Sequence, residues 1–438
     1  MLKFGSHFSF LSGISNSDRL GILGVLLVAF FGWVGVAGAY IGLAFVALAT
    51  IINFRELKLS RLWCLSSTRL FLLLILYVLA WELVIRFAMP EGGISSESQA
   101  WVLRLFPWLT IWFYRFPWLV PWVLVLAAIG LFGETVAMAI ERWDQFSHVL
   151  EGGHVFVAKA WGLYLGTVSL GLVVFFPRVL SLLKGNGIAS WLLRLLYLAV
   201  IIWMFQCLLA AQARTAWVSF FIVLLLVLSL FIVDFFGKRQ GSRKLFVGFA
   251  LSLVVGLSSV IILNLDSIAS RFSNDKTNIE KIIAGDKDLS YSSATYRYLL
   301  FKYGMERWSS SPLFGLGPQS TKAIIKASPN SKLHNMPHFH SGYLEVMVQL
   351  GIIGLVLLGA AVVFMLIGLV RAYLTGLVAG DYALFFGGVF IMIAFWSILN
   401  FRMLNADWLF YWIMLVGICQ SYGMRYWAYK FKLEQSGT

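Results

Sequence analysis

The chain has the composition of a membrane protein. Its 438 residues are 60% hydrophobic and only 12% charged, whereas soluble domains are about 25% charged, and the mean hydropathy is +0.84. So little polar surface excludes a cytosolic enzyme, a secreted disulfide scaffold and a disordered chain. The net charge of +14 must be interpreted from where the basic residues lie relative to a bilayer. We therefore predict an all-α polytopic membrane protein.

Apolar runs of the length that spans a bilayer recur along most of the chain. The N-terminal segment is polar and lacks signal-peptide features, so we expect the first apolar helix to be retained. The run over residues 20–54 is interrupted by glycines and predicts a hairpin of two short helices. Further spans are expected at residues 69–87, 99–114, 117–140, 158–176, 191–211, 215–236, 245–265, 342–370, 382–399 and 408–424. These runs predict about twelve spanning helices.

The distribution of basic residues predicts the orientation. Twelve spans place both termini on one side, and the loops on that side hold 17 of the 34 basic residues, including Arg19, Arg61, Arg115, Arg371 and Arg425, against five in the short loops of the other side. The positive-inside rule then places both termini in the cytoplasm. We expect three regions: residues 1–265 with helices 1–9, a long outer loop over 266–341, and residues 342–438 with helices 10–12 and a cytoplasmic tail.

The long outer loop is the expected place for chemistry, because loops of this length are usually functional or disordered. The sequence of this loop predicts a helix over residues 292–310, followed by a Gly/Pro turn in PLFGLGPQS. Three of the six histidines follow close together: His334, His338 and His340. A histidine here suits a general base, or it is simply a polar side chain at the interface.

A metal site is the third interpretation of the histidines, since their spacing could supply ligands. Pro337 interrupts any helix that would align His334 with His338. No cysteine or carboxylate pair completes a coordination shell. We therefore predict no metal and no other cofactor.

Arginines at the outer face form the second chemical signal. Arg214 lies between two apolar spans, where it either snorkels to the interface or faces a cavity with an anionic partner. Arg297, Arg142 and Lys159 are expected on the same side. Guanidinium groups bind phosphate through a bidentate fork and could hold a diphosphate without a divalent cation. A solvated surface role suits Arg142 and Lys159 better when each is taken singly.

Other charged residues have simpler explanations. Glu82 is expected to pair with Arg86 one helical turn away. Glu345 lies near the start of a helix, where the helix dipole favours an acid. Arg402 and Asp407 share a short outer loop and are candidates for an acceptor site.

Three elements of the sequence resemble the signature of the O-antigen ligase and polymerase superfamily of bacterial envelopes. PHFHSGYLEVMVQLGIIG resembles the family's histidine-rich loop end, which runs into a helix with two glycines, here Gly351 and Gly354. Arg214-Thr-Ala-Trp217 resembles the element that ends a span on the outer face. Tyr296-Arg297 with the following SSSPLFGLGPQS resembles another element of the same loop. Three positions depart from the family pattern of Asn, an acid and Ser: Ser341, Gln349 and Ala213.

The resemblance implies a GT-C-like transferase in the bacterial inner membrane. It would move O-antigen glycan from undecaprenyl diphosphate to a sugar hydroxyl of lipid A–core on the periplasmic face, without metal and with inversion, and it would not bind nucleic acid. His338 would be the base, His340 a fallback base or an orienting partner, and Arg214 and Arg297 would hold the diphosphate. A wider role in binding donor or acceptor falls to Arg142, Lys159, Arg402 and Asp407.

Three alternatives stay open. The same superfamily includes O-antigen polymerases and protein O-oligosaccharyltransferases, which differ in the acceptor. A secondary transporter or flippase also fits twelve spans, with Glu82, Glu134, Arg104 and Arg194 as pathway residues. A transporter needs polar groups at mid-bilayer, whereas a transferase needs them at the outer face.

Overall fold

The described part of the chain is helical. The computed structural model describes residues 14–57, 59–88, 98–141, 159–183, 185, 187–211, 213–237, 293–318 and 320–436, with the isolated residues 258, 262, 265 and 280, and these contain no strand. The α-helices are α1 Asn16–Val34, α2 Val36–Ile52, α3 Ser66–Ala88, α4 Ser98–Leu105, α5 Thr110–Arg115, α6 Leu119–Glu141, α7 Lys159–Val174, α8 Phe176–Leu182, α9 Ile188–Ala210, α10 Arg214–Gly237, α11 Ser293–Ser309, α12 Ser320–Lys326, α13 Gly342–Leu374, α14 Gly380–Trp396 and α15 Ala406–Ser436.

Several of these helices can cross a bilayer. Among the described residues, α1, α3, α6, α9 and α13 are long and apolar enough, and α7 with α8, bent by 51°, makes a sixth if the pair is one span. Three shorter apolar helices are α2, the Arg214–Leu230 part of α10, and α14. The predicted multi-pass membrane character is confirmed. The count of about twelve stays a prediction, and most of the expected span over 245–265 lies outside the described residues.

The chain divides into two compact units. The first comprises Met1–Gly133, Leu300–Ala383 and Phe401–Thr438, and the second comprises Glu134–Leu299 and Leu384–Asn400. In the second unit, small residues allow close helix packing. A Cβ added to Gly388 of α14 would meet Val223 of α10 at 3.0 Å and Leu170 of α7 at 3.1 Å.

In the first unit, α1 and α2 form the hairpin predicted for residues 20–54. Extended backbone at Gly35 separates them. They cross so closely that a Cβ on Gly24 would lie 2.6 Å from the carbonyl oxygen of Gly42. The open end of the hairpin is tied by buried Asp18, which accepts hydrogen bonds from Asn53 Nδ2 at 3.2 Å and from Arg115 at 2.7 Å.

The span predicted over residues 99–114 is not one continuous helix. It consists of α4 and α5, because Pro107 has no N–H to donate to the carbonyl of Leu103. The indole N–H of Trp108 takes that acceptor instead, at 2.8 Å. Pro107 therefore ends the helix, and Trp108 supplies the hydrogen-bond donor that the carbonyl of Leu103 would otherwise lack.

Several arginines assigned to the cytoplasmic side meet at one end of the first unit. Arg61 donates to Tyr114 Oη at 3.0 Å, and Arg425 donates to the carbonyl of Phe113 at 2.7 Å. Arg371 lies over the ring of Tyr426, 5.9 Å from its centroid. We call this end, marked by Arg61, Arg115, Arg371 and Arg425, the basic end.

Helix α13 is interrupted at Gly351, whose φ of 65° and ψ of −170° are non-helical. The 312–317 turn fills the break by exchanging backbone hydrogen bonds. The carbonyls of Val348 and Gln349 accept from the N–H groups of Leu316 and Gly317, at 2.7 and 3.0 Å. In a continuous helix they would accept from residues 352 and 353.

The displaced donors are also satisfied. The N–H groups of Ile352 and Ile353 donate to the carbonyls of Pro312 and Leu313, at 3.0 and 3.2 Å. Tyr77 Oη of α3 lies 2.9 Å from the carbonyl of Leu350. The part of α13 after the break is about 35 Å long at 1.5 Å per residue, which suffices to cross a hydrocarbon core of about 30 Å. The break therefore separates the short segment 342–350 from a full span.

We expect Gly351→Ala to destabilise the protein strongly. The backbone conformation at this position is nearly restricted to glycine and costs other residues about 1–3 kcal/mol. In addition, the new Cβ would lie 2.1 Å from the carbonyl oxygen of Leu313. Thermal unfolding in detergent measures the loss. Gly359→Ala is the matched control, because nothing lies within 4 Å of a Cβ there, and equal melting temperatures for the two variants would contradict the structural role of the break.

Candidate active site

His338 and His340 lie side by side immediately before α13. Their ring centroids are 4.3 Å apart in an edge-to-face arrangement. Ser341 caps the helix by accepting from the N–H of Leu344 at 3.4 Å. His340 has a φ of 57°, a left-handed conformation that is uncommon for a non-glycine residue. Strained backbone of this kind often occurs at active sites.

A hydrogen bond fixes the proton position on His338. The backbone N–H of His340 donates to Nδ1 of His338 at 3.1 Å. Since an accepting nitrogen carries no proton, the neutral ring of His338 has its proton on Nε2. In this geometry the neutral ring is a donor at Nε2 and cannot accept a proton there.

Glu345 anchors the histidine segment from within α13. Its carboxylate Oε2 accepts the N–H of Phe339, between the two histidines, at 3.0 Å. The Glu345 side chain is buried, and the residue is 1% exposed. Phe339 is also buried, against Gly304 of α11, where an added Cβ would lie 2.9 Å from the phenyl ring. Backbone and ring of residue 339 are therefore both held, which restricts the histidines on either side.

The second oxygen of Glu345 joins a buried polar network. Gln349 Nε2 donates to Glu345 Oε1 at 2.9 Å and to Thr321 Oγ1 at 3.2 Å. The indole N–H of Trp101 donates to Gln349 Oε1 at 3.0 Å. The amide of Gln349 thereby uses both of its donor hydrogens and its oxygen. This network ties α4 and α12 to the segment of α13 before the break.

His334 stands apart from the pair in its bonding. Its Nε2 lies 2.8 Å from the carbonyl oxygen of Ser328, which can only accept, so Nε2 carries a proton. In the described ranges, no three His, Cys, Asp or Glu side chains form a group that could hold a metal ion.

The loop with Arg402 and Asp407 lies beside the histidines. The ring of Phe401 contacts His338, with centroids 5.7 Å apart. Arg402 Nε donates to Asp407 Oδ2 at 3.0 Å, so the two candidates form an ion pair with each other. Buried Arg104 holds the loop by donating to the carbonyl of Asn405 at 2.8 Å.

Arg214 lies in the second unit as the first residue of α10 and is half-buried. A cation at a helix N-terminus opposes the helix dipole, so this position favours an additional anion. The neighbouring Trp217 is structural, since its indole N–H donates to the carbonyl of Leu208 in the last turn of α9, at 2.8 Å. Ala213 and Ala216 pack against Gly162, where a Cβ would meet theirs at 2.7 and 2.8 Å.

Arg297, also in the second unit, lies on α11 and is half-buried. Loss of hydration on burial lowers the pKa of its guanidinium below the ordinary value. Its Nε has no hydrogen-bond partner among the described residues. A cation that has lost water in this way gains most from a bound anion.

The two remaining cations are not placed. Arg142 lies outside the described residues, and Lys159 begins α7 but its side chain is not described. Of the two glutamates given structural explanations, Glu82 forms the expected ion pair with Arg86.

Trp101, Thr321 and Tyr77 had no local signal in the sequence, because their partners are far away along the chain.

We expect Glu345→Ala to destabilise the protein. It leaves the N–H of Phe339 and one donor of Gln349 without this acceptor, at about 1–3 kcal/mol for each. Glu345→Gln should lose less stability, because one amide oxygen remains to accept. Melting temperatures measure both effects, with Glu306→Ala at an exposed position of α11 as control. A melting temperature of Glu345→Ala equal to that of the control would show that the anchoring bonds contribute nothing.

Comparison with known proteins finds one family. Residues 199–359 match the family model described as O-antigen ligase, and no curated protein matches the chain at a significant level. The matched segment contains the Gly351 break with its turn, the histidine pair, Arg214 and Arg297. Arg402 and Asp407 lie outside the matched segment. The membrane-spanning chain therefore contains an O-antigen ligase domain at residues 199–359, which supports membership of the O-antigen ligase and polymerase superfamily.

Proposed function

We propose that the protein is an O-antigen ligase. It transfers a glycan from undecaprenyl diphosphate to a sugar hydroxyl of lipid A–core on the periplasmic face of the bacterial inner membrane, with both termini in the cytoplasm. The observation that carries the proposal is the histidine pair anchored by Glu345 within the O-antigen ligase domain. Like the other members of the superfamily, the protein acts on a lipid-linked polysaccharide.

The reaction needs a base and a leaving group. The acceptor hydroxyl oxygen attacks the anomeric carbon while the bond from that carbon to the diphosphate oxygen breaks. The proton of the hydroxyl passes to a histidine, and the electron pair leaves with undecaprenyl diphosphate. A diphosphate leaves without a general acid at neutral pH, so one base and the cations that hold the diphosphate are sufficient, and no metal is required. Direct displacement inverts the anomeric configuration.

We assign the base to His340 and a positioning role to His338. The bond from the N–H of His340 occupies Nδ1 of His338, which leaves the neutral ring with its proton on Nε2. The left-handed backbone of His340 is consistent with strain retained for function. This assignment reverses the order in which the sequence ranked the two residues.

Arg214 and Arg297 are proposed to bind the diphosphate. Arg297 offers a guanidinium that burial has partly dehydrated, and Arg214 adds its charge to the positive end of α10. Both stabilise the negative charge that grows on the leaving diphosphate. Arg402 and Asp407, joined in an ion pair beside His338, are proposed to border the acceptor, with Arg142 and Lys159 as further cations toward the donor.

Incubation of the purified protein with lipid-linked glycan and defined acceptors tests the function. We expect lipid A–core to gain the glycan. Extension of a second lipid-linked glycan would instead show a polymerase, and modification of a periplasmic protein would show a protein transferase. EDTA should not stop transfer, and loss of activity that added metal restores would contradict the metal-independent mechanism.

Histidine variants separate the two roles. We expect His340→Ala and His340→Asn to lose transfer by about 10²–10⁴-fold, as is typical for a general base. His338→Ala should lose less, and His338→Asn should recover part of the rate, since an asparagine oxygen can accept the N–H of His340. Initial rates measure these effects. Near-normal transfer by His340→Ala would overturn the assignment.

Arginine variants test the diphosphate site. Loss of one charge-assisted contact costs about 1.5–3 kcal/mol, so Arg297→Ala and Arg214→Ala should each weaken donor binding by about 10- to 100-fold. Arg307→Ala is the matched control, because Arg307 is an exposed arginine on the same helix as Arg297. Unchanged donor binding in both variants would exclude the diphosphate role.

A further inference from the structure

A cavity lies at the basic end of the first unit, between α3, α13 and α15. Its polar lining includes Ser66 and Ser67 at the start of α3, Arg371 in the last turn of α13, and Gln420 of α15. Phe364 and Met365 belong to its apolar lining. No acidic side chain occurs among the described residues that line it. The residues that line the cavity do not include the histidines, and the cavity takes part in no step of the proposed reaction.

Gln420 is the strongest sign that the cavity takes a ligand. The residue is 1% exposed, and its Oε1 accepts a hydrogen bond from Thr110 Oγ1 at 2.8 Å. Its Nε2 has no hydrogen-bond partner among the described residues. A buried amide donor without an acceptor costs about 1–3 kcal/mol, so a ligand atom that accepts from Nε2 would be bound favourably.

The other polar groups at the cavity are hydrogen-bond donors or positive charges, which favour an anionic ligand. The first N–H groups of α3 have no acceptors within their own helix and carry the positive end of its dipole. Arg69 of the same turn donates to Ser66 Oγ at 3.2 Å, which brings a second guanidinium near the lining. Together with Arg371 and the Gln420 amide, the cavity presents donors and positive charge to one small group.

We propose that this cavity binds the phosphate of an anionic phospholipid from the cytoplasmic leaflet. The phosphate oxygens accept from Gln420 Nε2, from the start of α3 and from Arg371, and the first part of an acyl chain lies against Phe364 and Met365. Basic pockets between helices on the cytoplasmic side are a physical match for such headgroups. The lipid would hold α3, α13 and α15 together at the end of the unit that lies away from the Gly351 break.

Lipid binding to the purified, detergent-solubilised protein tests this proposal by native mass spectrometry. We expect phosphatidylglycerol to bind in preference to phosphatidylcholine, and inorganic phosphate at equal concentration not to displace it. Arg371→Gln should weaken phosphatidylglycerol binding by about tenfold, the loss of one charge-assisted contact. Gln420→Glu should do the same, because it keeps the acceptor for Thr110 but turns the free donor into an oxygen.

Arg61→Gln is the control, since it removes one positive charge from the same end without touching the lining. Its binding should equal that of the wild type. Equal binding by Arg371→Gln, Gln420→Glu and the control would overturn the site. Displacement by inorganic phosphate would show that the cavity takes the free ion and would overturn the lipid assignment. Glycan transfer is not part of the readout, so the result is independent of the proposed ligase reaction.

Discussion

The exchange of backbone hydrogen bonds at Gly351 is the constraint on which the first unit depends. Two carbonyls and two N–H groups of α13 give up their partners within the helix and take partners in the 312–317 turn. A break inside an apolar helix would otherwise leave polar groups unsatisfied at a cost of several kcal/mol each. The turn can approach this closely because Gly315 has no side chain, and a Cβ there would lie 2.5 Å from the backbone nitrogen of Gly351. The glycines of the 312–317 turn and the glycine at the α13 break thus act together in one backbone contact.

The break gives the short segment 342–350 a direction and surroundings of its own. Glu345 and Gln349 would be costly within a lipid-facing span, but before the break they are buried among polar partners from α4 and α12. Gln349 donates to Glu345, and Glu345 accepts the N–H of Phe339, which restricts the histidines on both sides of that residue. The catalytic geometry that we propose therefore rests on a network made of protein groups alone, which is the preorganisation that transferases need.

Much of this followed from the sequence. Composition showed a membrane protein, glycines in a long apolar run predicted the α1–α2 hairpin, and i,i+4 spacing predicted the pair of Glu82 with Arg86. Local chemistry was sufficient in each case. The span over residues 99–114 was wrong as one helix, although Pro107 carried the signal. The structure also separates two groups of arginines: those at the basic end, and Arg214 and Arg297 in the family domain.

The sequence by itself determined the class of protein, the resemblance to the O-antigen ligase family and the candidate residues for the chemistry, because hydropathy, charge and short motifs are local properties. Only the tertiary structure decided how those residues act. The proton position on His338 depends on a hydrogen bond from the backbone N–H of His340, a residue in the left-handed conformation. The partners of Gln349, Trp101 and Thr321, come from distant parts of the chain, and so does Tyr77 at the break. Such contacts leave no periodicity in the sequence, since they depend on which helices pack together.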